Sequence, residues 1–242
     1  MKPSLLLSAW PYVAVSLLAL GIAVRYLLER RQMAAVSEEM SEAWALIRGS
    51  RVWRGSAILL ILGHALILVL PRAVLAWGRN PVRLYLLEAL GFAAGIAALV
   101  GWGALLWRHL RHTNRSAITE LSDTIFIALL LVGILSGLLM AVLYRWGSSW
   151  GAIILTPYIV SLLKLKPAAE LAVQMPFLVR LHVFSVFAAI AVLPLTRLAA
   201  FLVFALHPPV TLAGRMVSAA ERAAIAWIRR HDPTPRLWPE ED

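Results

Sequence analysis

The 242-residue chain contains no cysteine. That absence removes disulfides, thiolate nucleophiles, cysteine-ligated iron–sulfur clusters and cysteine-rich zinc sites from anything the chain does alone. Charge is scarce as well: only 15% of residues are Asp, Glu, Lys or Arg, and 13 of them are acidic. Soluble domains carry about 25% charged and about 45–50% apolar residues. Here 61% are hydrophobic, and apolar runs about 20 residues long recur, the length that crosses a bilayer. No polar segment interleaves basic and aromatic residues. The net charge of +10 is therefore assigned to loop topology, and nucleic acid is not expected as a partner.

The apolar runs imply an all-α integral membrane protein, a bundle of five transmembrane helices over residues 1–210. The spans fall at about 5–28, 55–77, 84–107, 123–144 and 177–206, and residues 211–242 form an amphipathic helix and an acidic tail. The first run begins Met-Lys but is too long for a signal-peptide core, so it reads as a retained helix. Residues 29–54 read as a loop or surface helix. Within the connection 147–176, the short apolar piece Gly151–Leu165 contains Pro157 and reads as an interfacial helix. One set of connections carries fifteen Lys and Arg residues and the other eight. The richer side is expected in the cytoplasm, which puts the N-terminus outside and the C-terminus inside.

An ionisable side chain at membrane depth is a functional-site hypothesis by default. Of six histidines, only His64 and His182 lie within apolar spans. His64 stands eight residues before Arg72, roughly 12 Å from the outer end of its helix. His182 stands five residues past Phe177, roughly 8 Å from the same side. His207 is 25 residues further on, about 37 Å along the axis, too far to pair with His64. Two neutral imidazoles at one depth suit six-coordinate haem iron. They also suit two separate buried histidines bonded to backbone, or a proton relay. A zinc site wants three or four ligands, and Glu88 is a weak candidate for another. His109 and His112 read as part of a solvated or subunit-contacting basic loop, His231 as a solvated tail residue. Arg197 reads as snorkelling or as neutralising a partner's charge.

The residues also resemble a family. Tyr12–Tyr26, Gly63-His64 with Pro71, Ala76-Trp77 with Val82-Arg83, Asp123, Arg180-Leu181-His182 and Leu193–Leu198 together resemble the gamma subunit of membrane-bound respiratory nitrate reductase. The resemblance covers about residues 10–210. It implies a five-span cytochrome b of the bacterial or archaeal cell membrane that oxidises quinol and passes electrons to iron–sulfur and catalytic subunits. His64 and His182 match the axial ligands of the haem distal to those subunits. The positions of the other ligand pair are Arg54 and Ala200, so one b haem is expected and a second is not. Gly63, His64 and Arg83 match the quinol site. Arg83 stands where the family has lysine; an arginine stabilises a developing anion but does not serve as a base. The chain is thus expected to be an electron-transfer subunit rather than to carry catalytic residues of its own. Two other classes stay open: a quinone-linked anchor for a heterodisulfide-reductase-like, sulfite-reduction or hydrogenase module, and a haem-free scaffold. A small transporter would show internal repeats, and none is evident.

Overall fold

The computed structural model describes residues 3–48, 51–111, 117–144 and 147–231. Lys2, His112, Arg115, Arg145, Trp146 and the tail from residue 232 lie outside the described residues. Among the described residues every regular element is helical. Helix α1 covers Pro3–Glu29. The polar segment after it folds as α2, Met33–Ile47. Helical spacing there buries Val36 and Ala43 and leaves Glu38 outside.

Helix α3, Arg51–Val69, ends where Pro71 pushes Leu70 out of helical geometry (φ −123°, ψ 50°). A short α4, Pro71–Trp77, restarts with the proline in its first turn. The second apolar run is therefore two helices. Asn80 then caps α5, Pro81–Arg111: its Oδ1 accepts from the amides of Val82 at 3.0 Å and Arg83 at 3.4 Å. Helix α6 is Ala117–Leu143. A compact segment follows, made of α7 (Gly147–Trp150), a π-helical turn (Gly151–Leu155) and α8 (Thr156–Leu163).

That segment is tied into the bundle. Tyr158 is fully buried and donates to the Leu7 carbonyl at 2.6 Å, while Tyr12 donates to the Leu162 carbonyl at 2.9 Å. Burial, helped by the neighbouring Tyr12, pushes the Tyr158 phenol up to about 12. Thr156 Oγ1 donates to the Ile67 carbonyl at 3.1 Å, linking the segment to α3. A short α9, Ala169–Gln174, leads into α10, Phe177–Val192.

The stretch 177–206, read from the sequence as one span, is interrupted. A 3-10 turn at Leu193–Leu195 and an extended Thr196 (φ −96°, ψ 161°) separate α10 from α11, Ala199–His231. Pro194 lacks the amide that would continue the helix. The groups freed by the break find partners elsewhere. Arg25 donates to the carbonyls of Thr196 at 2.6 Å and Pro194 at 3.3 Å, and also pairs with Glu29 and Glu39. Asp123, 1% exposed, accepts from the Arg197 amide at 3.1 Å and its Nε at 2.6 Å. Arg197 therefore neutralises a charge within this chain; it does not snorkel. Gly21 makes room for the break, since a Cβ there would lie 2.6 Å from the Pro194 Cβ.

Among the described residues, six helices are long and apolar enough to cross a membrane. The sixth is α11, which runs on through Pro208-Pro209 instead of restarting after them. The two prolines contribute no backbone N–H there, and the Thr211 hydroxyl lies within donating distance of the carbonyls of His207 and Pro208, each at 2.9 Å.

The spans pack in a curved series: α3 on α5, α5 on α6, α6 on α10, and α10 on α1. Helix α11 is covered by α2 and α1. Small residues allow the close approaches: a Cβ on Gly95 would lie 2.6 Å from Leu138, and one on Gly101 would lie 2.7 Å from Trp53. Helix α10 is the best buried span and α3 the least. On α3, Ile58, Ile61, Leu62 and Val69 are each more than half exposed, which is unremarkable where the solvent is lipid. The first and last helices of the α3–α5–α6–α10 series face each other without close backbone packing.

Candidate functional site

His64 and His182 occupy the space between α3 and α10. Their ring centroids are 6.0 Å apart and their planes differ by 14°. Each Nδ1 meets a backbone carbonyl. His64 Nδ1 lies 2.7 Å from Leu60 O, one turn back in its own helix. His182 Nδ1 lies 2.7 Å from Gly133 O on α6. A carbonyl only accepts, so both Nδ1 atoms carry a proton, and in the neutral imidazole each Nε2 then presents a lone pair. Neither Nε2 has a hydrogen-bond partner among the described residues. This is the tautomer of a metal-bound imidazole, whose other nitrogen usually donates to a carbonyl or carboxylate.

The separation fits a metal between the rings. An imidazole–metal bond is about 2 Å, and two in line would put the ring centres about 6 Å apart. No group of three or more His, Cys, Asp or Glu side chains converges among the described residues, so a zinc-type cage is absent there. Two axial ligands for a planar iron cofactor are what the pair can supply.

The other expected site residues fall as follows. Gly63 adjoins His64, and a Cβ there would meet nothing within 4 Å. Arg83 is exposed at the start of α5 with its guanidinium 4.7 Å from the Trp77 ring centre. Glu88 Oε1 accepts from the Ser148 amide at 2.9 Å and hydroxyl at 2.7 Å, so it secures the start of α7. His109 is not on a solvated loop: α5 extends far enough to bury it in its last turn. His207 lies beside Tyr26, with ring centroids 6.2 Å apart, away from the histidine pair. Ala200 is fully buried in a cluster with Tyr26, Val36 and Val203, and Arg54 is half-buried on α3.

The sequence reading missed three residues on α6. Ser136 Oγ lies 3.3 Å from His182 Nδ1 and donates to Gly133 O at 2.9 Å. A Cβ on Gly137 would lie 3.3 Å from His182 Cε1 and 3.4 Å from Nδ1. The available signal was Gly133-x-x-x-Gly137, the spacing that lets membrane helices approach closely.

Helical spans and a paired-imidazole site inside them define a multi-pass membrane protein. Within that class the comparisons are specific. The model of the nitrate reductase gamma subunit family matches residues 3–216, and the chain belongs to that family. It is 28% identical over 131 residues to the respiratory nitrate reductase 2 gamma chain of Escherichia coli K12, covering 53% of this chain and 58% of that one. It is 25% identical over 206 residues to the nitrate reductase gamma chain of Bacillus subtilis, covering 82% and 90%. It is also 25% identical to the nitrate reductase-like protein NarX of Mycobacterium tuberculosis, but spans only 30% of its length.

Proposed function

We propose that the chain is a membrane cytochrome b subunit that oxidises quinol and delivers electrons to partner subunits of a nitrate-reductase-like complex. The observation that carries this reading is the histidine pair: near-parallel rings 6.0 Å apart, each with Nδ1 anchored and Nε2 free. A b haem held by His64 and His182 would supply a one-electron carrier within the bilayer. The backbone carbonyls of Leu60 and Gly133 hold the two rings in the ligating tautomer. Gly63 leaves open space beside His64, which suits a flat quinol head. Arg83 offers a fixed positive charge that stabilises the anion left when a quinol hydroxyl gives up its proton, a proton that Arg83 itself cannot accept. The distribution of Lys and Arg supports five crossings with the N-terminus outside and the C-terminus cytoplasmic, the first turns of α11 completing the fifth.

One observation is also compatible with a partner other than a nitrate reductase. Ala200, where the resemblance implies a second ligand, sits in a packed apolar cluster, which supports a chain without an inner haem to relay electrons. An anchor for a heterodisulfide-reductase-like, sulfite-reduction or hydrogenase module fits that feature as well. The deciding measurement is haem per purified chain by the pyridine haemochrome method. About one b haem is expected, with the low-spin spectrum lost in His64→Ala and in His182→Ala. A folded, haem-free protein would leave only the scaffold reading.

A further inference from the structure

The two histidines are held differently. His64 is exposed and bonded only within its own helix. His182 is held by a neighbouring helix on two sides. Its Nδ1–H points to Gly133 O at 2.7 Å, with Ser136 Oγ as a second acceptor at 3.3 Å. Ser136 is 1% exposed, and its own proton goes to Gly133 O, so its lone pairs face the imidazole. Against the ring, Gly137 presents bare backbone, and the Cβ of any other residue would press on Cε1 and Nδ1. A ring pinned through one nitrogen still pivots about that bond. The narrow space beside Gly137 limits that pivot, and the two imidazoles, on helices with little backbone packing between them, stand within 14° of parallel.

We infer that Ser136 and Gly137 of α6 are positioning residues for His182, setting the plane and electron density of its imidazole. The inference rests on the haem reading above. Neither residue touches the reacting atoms; both act through His182. An extra acceptor on Nδ1–H makes the imidazole more electron-rich and favours ferric iron. The plane angle between axial imidazoles governs the g anisotropy of low-spin ferric haem.

The test uses the full chain in detergent with four proteins: wild type, Ser136→Ala, Gly137→Ala and Ser185→Ala. Ser185 lies on the same α6–α10 interface and is equally buried, but its hydroxyl bonds the His182 backbone carbonyl at 2.9 Å and not the ring. Three quantities are read: haem per chain, midpoint potential and the ferric EPR spectrum. Ser136→Ala is expected to raise the potential. Gly137→Ala is expected to change the EPR anisotropy and to weaken haem retention roughly 10-fold or more, as loss of groups that hold a metal ligand does. Ser185→Ala is expected to match wild type. Spectra and potentials in Ser136→Ala and Gly137→Ala that match a haem-loaded wild type overturn this inference and leave the haem reading standing. Equal shifts in Ser185→Ala overturn it too, because interface packing would then be the cause. A haem-free wild type overturns the haem reading and this inference with it. If Ser136→Ala does not fold, the EPR spectrum of Gly137→Ala decides.

Discussion

Asp123 grips Arg197 twice, once at the backbone amide and once at Nε. The pair is buried, with side chains 1% and 12% exposed, and it joins the start of α6 to the break between α10 and α11. Removing one partner of a buried pair leaves the other charge uncompensated, which typically costs about 3–5 kcal/mol. Asp123→Ala and Arg197→Ala should each lower the unfolding midpoint in detergent sharply. The double substitution should lose clearly less than the two single losses added together. Additive losses would mean the pair is not coupled.

Much of this arrangement was legible in the sequence, and the rest was hidden for physical reasons. Spans announce themselves because lipid demands about 20 apolar residues in a row, and depth arithmetic alone paired His182 with His64. The interruption at Pro194 was not legible: one proline in an apolar run also occurs in continuous membrane helices. What settles it lies far away in sequence, in the Gly21 notch and the Arg25 guanidinium. Ser136 and Gly137 were silent for another reason. A serine and a glycine in an apolar span describe a close approach without saying what approaches.

The Gly21 notch can be tested directly. A Cβ there would fall 2.6 Å from Pro194 Cβ and 2.9 Å from Cγ, and a proline ring has no flexible end to move aside. Overpacking of this kind typically costs about 1–3 kcal/mol. Gly21→Val should lose stability in that range. The Arg25 bonds to Pro194 and Thr196 should loosen with it, seen as faster amide exchange at residues 197–201. A Gly21→Val protein as stable as wild type would mean the break can slide away from α1.

Tyr158 gives a pH prediction. Its phenol donates to Leu7 O at 2.6 Å, and burial raises its pKa from 10.0 to about 12. Below about pH 10 both the folded and unfolded chains keep this proton, so its contribution is complete and flat. Between about 10 and about 12 the unfolded chain loses the proton and the folded chain does not, so stability falls as pH rises. Tyr158→Phe removes the hydrogen bond, worth about 1 kcal/mol, and leaves a carbonyl unsatisfied. Wild type should therefore exceed Tyr158→Phe in thermal stability up to about pH 10, and the gap should close above it. A gap unchanged at pH 11 would contradict the raised pKa.

The end of the bundle where α2 packs on α11 offers the sharpest contrast with the second ligand pair that the family resemblance implies. Ala200 and Val203 are fully buried under Tyr26 and Val36, and Trp44 meets Phe201 edge-on at 6.5 Å. Helix α2 thus covers the face of α11 from which a second ligand would project. Restoring histidines at both vacant positions, Arg54→His with Ala200→His, should not restore a second haem. An imidazole at residue 200 has to displace a well-packed apolar core, at about 1–3 kcal/mol for the extra volume, and its polar nitrogens would be buried there without designed partners. The expected result is a haem-to-chain ratio equal to wild type and a lower unfolding midpoint. A ratio that doubles would show that α2 yields readily and that the two ligands, not the packing, decide how many haems the chain holds.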